Sequence, residues 1–151
     1  MSIKDFVSKE LPKIPGPIYD LHGNYLWDHD GIQFYTIGQR HGFWGGGWVP
    51  LYIVAKNKID NSLVVWLEDA SELFSSELLA HERHRINELS ILPHQVSCKI
   101  RYRQEDQEAL LESLVDGTIT IRFKNPQRAI SSGQIVVAYD GDICIGSGII
   151  A

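Results

Sequence analysis

Two Asp-Gly dipeptides, at positions 116–117 and 140–141, each stand between strand-like runs, and they restrict this chain more than any other feature. Short hairpin loops need positive φ, which Gly adopts freely and Asp tolerates. Ala109–Val115 and Thr118–Phe123 flank the first dipeptide. Ile119, Ile121 and Phe123 alternate there with Thr118, Thr120 and Arg122, the period of a half-buried strand. Gln134–Tyr139 and Ile143–Ile150 flank the second, and Asn125-Pro126-Gln127-Arg128 reads as a loop between the two hairpins. Several short strands, dense turns and no helical period predict a small antiparallel barrel.

Upstream of these hairpins, Leu78–Ile86 leads through Pro93 into a long strand expected from Val96 to Arg103. Successive strand side chains point to opposite faces. Lys99, Arg101 and Arg103 would then form a cationic row, with Cys98, Ile100 and Tyr102 on the other face. Such a row suits phosphate; the plainer reading is a strand with a solvated outer face.

The first half is less regular. Ile3, Phe6, Val7 and Leu11 have helical spacing, with Ser2 as N-cap and Pro12 and Pro15-Gly16-Pro17 as stops. That helix is too short to stand alone and needs a packing partner. Pro17–Leu21 and Tyr25–Trp27 flank His22-Gly23-Asn24 as a hairpin. Ile32–Ile37 fits either one helical turn or a strand, and Gly38–Gly47 is a glycine-rich loop that includes Arg40. Leu51–Val54 and Ser62–Leu67 pair across Lys58-Ile59-Asp60-Asn61, and Glu68–Ser76 is polar and irregular or one helical turn. A soft boundary falls between Leu67 and Leu78, giving domains over 1–74 and 75–151.

The chain has 151 residues, a net charge of -5 and two cysteines. Nucleic-acid binding therefore has to come from a local patch. No apolar run approaches bilayer length, and Met1–Phe6 lacks the apolar core of a signal peptide. These features predict a cytoplasmic protein with no membrane association.

His81-Glu82-Arg83-His84 is one residue short of the helical zinc motif, so no metal site is expected. The glycine loop lacks the Gly-Lys-Ser/Thr of a nucleotide-binding loop, yet its glycines allow close backbone approach. Arg40 beside them could hold a phosphate or a sugar, or the loop could be a plain connection. Neither Cys98 nor Cys144 has an activating neighbour on its own face, and no catalytic residue is assigned. On residues alone this is a binding module rather than a complete enzyme.

Several stretches together resemble the C-terminal portion of the tRNA-specific 2-thiouridylases. They are Asp28-His29-Asp30-Gly31 running into Phe34-Tyr35-Thr36-Ile37-Gly38-Gln39-Arg40, then Lys99–Gln104, Pro126-Gln127-Arg128-Ala129-Ile130, Ser132-Gly133-Gln134, Tyr139-Asp140-Gly141-Asp142 and Gly146–Ile150. Their order and spacing match along nearly the whole chain, and Tyr35–Arg40 is the most specific piece.

The resemblance implies an enzyme of three parts. An N-terminal ATP-pyrophosphatase domain carries a Ser-Gly-Gly-x-Asp-Ser loop for ATP. A small α+β central domain follows, then a six-stranded β-barrel similar to domain 2 of elongation factors. The implied reaction adenylates the 2-oxygen of the wobble uridine in tRNAs for Lys, Glu and Gln. Sulfur then comes from a cysteine persulfide, supplied by sulfur-relay proteins. This chain has no ATP loop, and Cys98 and Cys144 do not fall at the family's catalytic positions. The second of those would lie just upstream of Ile3-Lys4-Asp5-Phe6. The chain is thus expected to be a non-catalytic tRNA-binding part with no cofactor of its own. An excised C-terminal piece is preferred to a split gene product.

Family tRNA contacts carry over to Arg101, Tyr102 and Gln134. Lys99, Arg103 and Arg128 would add backbone contacts. Strict alternation would set Tyr102 opposite Arg101, so either a strand end or a bulge has to turn it. After Arg40 the chain departs from the family: His41 replaces the usual Lys, and Phe43-Trp44 replace smaller residues. A competing reading is a structural brace or docking module for the catalytic domain or a sulfur donor. It draws on the acidic balance and the unpartnered helix over Ser2–Leu11.

Overall fold

The computed structural model describes residues 11–41, 49–86 and 91–151. The helix expected over Ser2–Leu11, apart from its last residue, and the loop over Gly42–Gly47 lie outside the described residues. The chain divides into two compact units, Met1–Leu73 and Phe74–Ala151.

The first unit is a five-stranded mixed sheet. Its strands are β1 (Gly16–Tyr19), β2 (Tyr25–His29), β3 (Arg40–His41), β4 (Leu51–Asn57) and β5 (Ser62–Trp66), in the order β2-β1-β5-β4-β3. β1 and β5 run parallel and the other pairs antiparallel. The β1–β2 hairpin forms where the His22-Gly23-Asn24 turn predicts it. Asp20 Oδ1 accepts from the amides of His22 (2.8 Å) and Asn24 (2.9 Å), closing the turn. Ile32–Phe34 resolves as a single turn of 3-10 helix. Among the described residues the helical pieces of this unit are that turn and a second one at Ser71–Leu73. Ile18, Tyr35, Ile53, Leu63 and Val65 form its core. His29 is buried beside it, its Nε2 2.9 Å from the Asn61 carbonyl.

The second unit is a closed six-stranded antiparallel barrel. It comprises β6 (Phe74–Arg85), β7 (His94–Lys99), β8 (Gln107–Val115), β9 (Thr118–Arg128), β10 (Ile135–Asp140) and β11 (Ile143–Ile150). The order is β10-β11-β6-β9-β8-β7, and β7 closes the ring on β10. Ile119, Ile121 and Phe123 point into a core with Ala80, Cys98, Leu111, Val136 and Ile150. At the first hairpin turn Asp116 (φ 48°) and Gly117 (φ 77°) both take positive φ, as a two-residue loop of this kind requires. The second loop is Gly141-Asp142, one residue later than the Asp-Gly dipeptide, because Asp140 pairs with Ile143.

Two expectations need correction. The strand expected to reach Arg103 ends at Lys99. Beyond it the Ile100 amide bonds to the Gln104 side chain, and the Gln104 amide bonds to the Arg101 carbonyl at 3.1 Å. The backbone is satisfied locally there, so a turn replaces the strand. Asn125–Arg128 is not a loop either. β9 runs to Arg128, whose partner is Phe74, and Gln127 pairs with Ser75. The register shifts between Ser75 and Glu77, opposite the segment holding Pro126. Such an irregularity accommodates a residue that has no amide hydrogen to donate.

Among the described residues no helix is long and apolar enough to cross a membrane.

Candidate nucleic-acid interface

The turn Arg101–Gln104 leans on the end of β9, and side chains from both line an open depression of about 430 Å³. Its walls hold Arg101, Arg103 and Arg128 together with the polar residues Gln104, Gln107 and Gln127. One Arg101 guanidinium nitrogen donates to the carbonyls of Arg128 (3.2 Å) and Ala129 (3.1 Å). A carbonyl carries no formal charge, so these bonds fix the guanidinium without cancelling it. Ala129 is buried and takes a positive φ of 55°, a conformation that costs an alanine roughly 1–2 kcal/mol. Its carbonyl also accepts from Ser131 Oγ at 3.4 Å.

Beneath the arginines is a set of glutamines. Gln104 Oε1 accepts from the Ile100 amide at 3.0 Å, and Gln104 Nε2 donates to Gln127 Oε1 at 2.7 Å. Gln127 Nε2 donates to Gln107 Oε1 at 3.1 Å and to the Asn125 carbonyl at 2.8 Å. Gln107 Nε2 donates to the Glu105 carbonyl at 3.1 Å. Sequence reasoning assigned none of the three a role. One signal was present: Gln127 falls on the inward parity of Ile119, Ile121 and Phe123. A polar side chain on that parity has to find partners inside.

The predicted row of three cations is not a strand face. Lys99, at the end of β7, bonds to Asp106 Oδ1 at 3.0 Å and lies 5.8 Å from the centre of the Tyr139 ring. The Asp106 carboxylate holds the Lys99 ammonium above its ordinary pKa. Arg101 and Arg103 belong to the turn. Tyr102, between them, is 95% exposed at its tip. The strand end thus resolves the conflict that alternation posed for Arg101 and Tyr102.

Gln134 lies in the next turn, where its amide bonds to the Ser131 carbonyl and its own carbonyl accepts from Ile150. Its Oε1 is buried and has no hydrogen-bond partner among the described residues. Among the described residues, hydrogen bonds link it to Arg101 through Ser131 and the Ala129 carbonyl. Arg40 is exposed on β3, in the other unit.

Cys98 is fully buried in the barrel, and burial pushes its thiol up to about 12. It supplies no thiolate near neutral pH. His81 and His84 stand on a strand, not on the helix that a zinc-protease motif needs.

Two family profiles match the chain. The "tRNA methyl transferase PRC-barrel domain" covers residues 4–66, and the "Aminomethyltransferase beta-barrel domain" covers residues 75–150. Similar full-length proteins include the tRNA-specific 2-thiouridylase MnmA of Aeromonas hydrophila, 38% identical over 97% of this chain and 42% of its own length. The proteins of the same name from Pseudomonas fluorescens and Listeria monocytogenes are both 40% identical. They align with 97% and 99% of this chain, and with 40% and 41% of their own lengths. The chain spans about two fifths of the length of the curated relatives it matches.

Proposed function

This chain belongs to the tRNA-specific 2-thiouridylases, as their C-terminal PRC-barrel and β-barrel domains, and from that premise we propose that it is the tRNA-binding, non-catalytic part of such an enzyme. The central domain would occupy residues 1–74 and the barrel 75–151. The observation that carries this reading is the Arg101–Gln104 turn, its guanidinium pinned to β9 by two carbonyls that carry no formal charge, with Tyr102 held out in solvent. Arginine forks pair with phosphate, and an exposed tyrosine ring offers a stacking face to an unpaired base.

In this reading Arg101, Arg103 and Arg128 meet the RNA backbone, and Lys99 joins them when RNA displaces Asp106. Tyr102 and Gln134 meet sugar or base, and Arg40 adds a contact from the first unit. ATP-dependent sulfur transfer to C2 of the wobble uridine of Lys, Glu and Gln tRNAs is the work of the ATP-pyrophosphatase part. ATP and the persulfide from sulfur-relay proteins are handled there, in the cytoplasm. The inert thiol of Cys98 supports leaving catalysis outside this chain.

Fluorescence anisotropy with an unmodified glutamate tRNA transcript, over a salt series, tests the proposal. The expected result is salt-sensitive binding that Arg101→Ala weakens. Absence of binding at low salt would overturn it in favour of a brace for the catalytic domain or a sulfur donor. The net charge of -5 and the ion-paired Lys99 favour that second reading.

A further inference from the structure

Three glutamines tie residue 100 to residue 105 by one unbroken run of hydrogen bonds: Ile100 amide to Gln104, Gln104 to Gln127, Gln127 to Gln107, Gln107 to the Glu105 carbonyl. The run begins at a backbone amide, which can only donate. It ends at a backbone carbonyl, which can only accept. The orientation of each amide between them is therefore forced, since flipping any one would set N–H against N–H or oxygen against oxygen. Gln127 is the centre of the run. It is 5% exposed, and it uses both of its donor hydrogens and its acceptor oxygen. The segment so closed contains Arg101, Tyr102 and Arg103. A polar network whose buried central member is fully satisfied favours one geometry.

We propose that Gln127 is a positioning residue for RNA: it presets the Arg101–Gln104 turn and so raises tRNA affinity without touching the tRNA. This rests on the tRNA-binding reading above. Two physical consequences set Gln127 apart from a contact residue. A preset turn lowers the ordering cost of binding. An uncharged amide displaces no counterions, so its loss lowers affinity at every salt concentration and leaves the salt slope unchanged.

The test compares the wild-type chain with Gln127→Met, Gln104→Met and Arg101→Ala. Met keeps the length of Gln and removes its donors and acceptor. Amide hydrogen exchange reads the turn, and anisotropy with the same tRNA transcript over a salt series reads binding. In Gln127→Met the Ile100 and Gln104 amides should exchange about tenfold faster, with β8 and β9 still protected. Affinity should fall about three- to tenfold with the wild-type salt slope. Unchanged exchange at Ile100 and Gln104 would overturn the proposal, and so would faster exchange with unchanged affinity. If Gln127→Met also loses protection in β8 and β9, Gln104→Met decides by the same two readouts, because it cuts the run from its half-exposed end. If the wild type does not bind, or Arg101→Ala binds as well as wild type, the tRNA reading itself fails. Weakening by Arg101→Ala with none by the glutamine variants overturns the positioning role alone.

Discussion

Arg101 and Arg128 are joined by a hydrogen bond from the guanidinium of the first to the backbone carbonyl of the second, at 3.2 Å. Two residues of like formal charge are thereby held at one depression through a neutral group. A carboxylate in that place would have fixed Arg101 equally well and cancelled its charge. The carbonyl leaves the charge available to a ligand.

Arg101→Ala should weaken tRNA binding and reduce the slope of log affinity against log salt by about one, the signature of one lost phosphate contact. The melting temperature should barely move, because the bonds lost lie at an exposed side chain. Arg101→Lys should keep the slope but bind more weakly than wild type, since an ammonium lacks the planar fork that pairs with a phosphate through two hydrogen bonds. Anisotropy and thermal melts together check both variants.

Asp106→Asn should tighten tRNA binding about two- to fivefold at low salt and steepen the salt dependence, because it frees Lys99 for phosphate. The gain should vanish in Asp106→Asn/Lys99→Ala. An unchanged affinity in the single variant would remove Lys99 from the interface.

Cys98 should resist thiol reagents in the native chain and react once the chain is unfolded. Its folded pKa of about 12 lies above the ordinary value of 9.0. Above pH 9 the unfolded chain therefore releases a proton that the folded chain retains, and stability falls as pH rises. The contribution is roughly 1.4 kcal/mol per pH unit between those two values. Urea titrations from pH 8 to 11 should show a shallower decline for Cys98→Ala than for wild type.

Gly16→Ala should destabilise the first unit. An added methyl would press on the Asn61 carbonyl and lie 2.6 Å from Asn61 Nδ2 and 2.9 Å from His29 Nε2. Backbone cannot yield as a flexible side chain does, and overpacking of this kind costs about 1–3 kcal/mol. Hydrogen exchange should show protection lost in β1 and β5.

The hairpins could be read from the sequence because positive-φ turn chemistry is local: Asp116-Gly117 announces its loop without help from the fold. The buried parity of Ile119, Ile121 and Phe123 is local in the same sense. The end of β7 was not readable. Gln104 stops it by taking the Ile100 amide, and Gln104 is itself held by Gln127, 23 residues away. Asn125-Pro126 looks like a loop by composition, but a shift in the β6–β9 register lets β9 continue through it. Arg101 and Arg128 could each be nominated for charge, yet their meeting depends on that continuation. Lys99 fits the same charge pattern, but its partner Asp106 lies outside the alternating stretch 98–103.

The ring formed by β7 closing on β10 has one more consequence. Each barrel strand already has a hydrogen-bonding neighbour on both sides. Among the described residues the barrel therefore offers less free strand margin than an open sheet would, which disfavours a protein partner docking by extending the sheet. Anything that meets this unit, RNA or protein, meets side chains and the bends between strands, so changes in specificity can accumulate at the bends while the ladder stays the same.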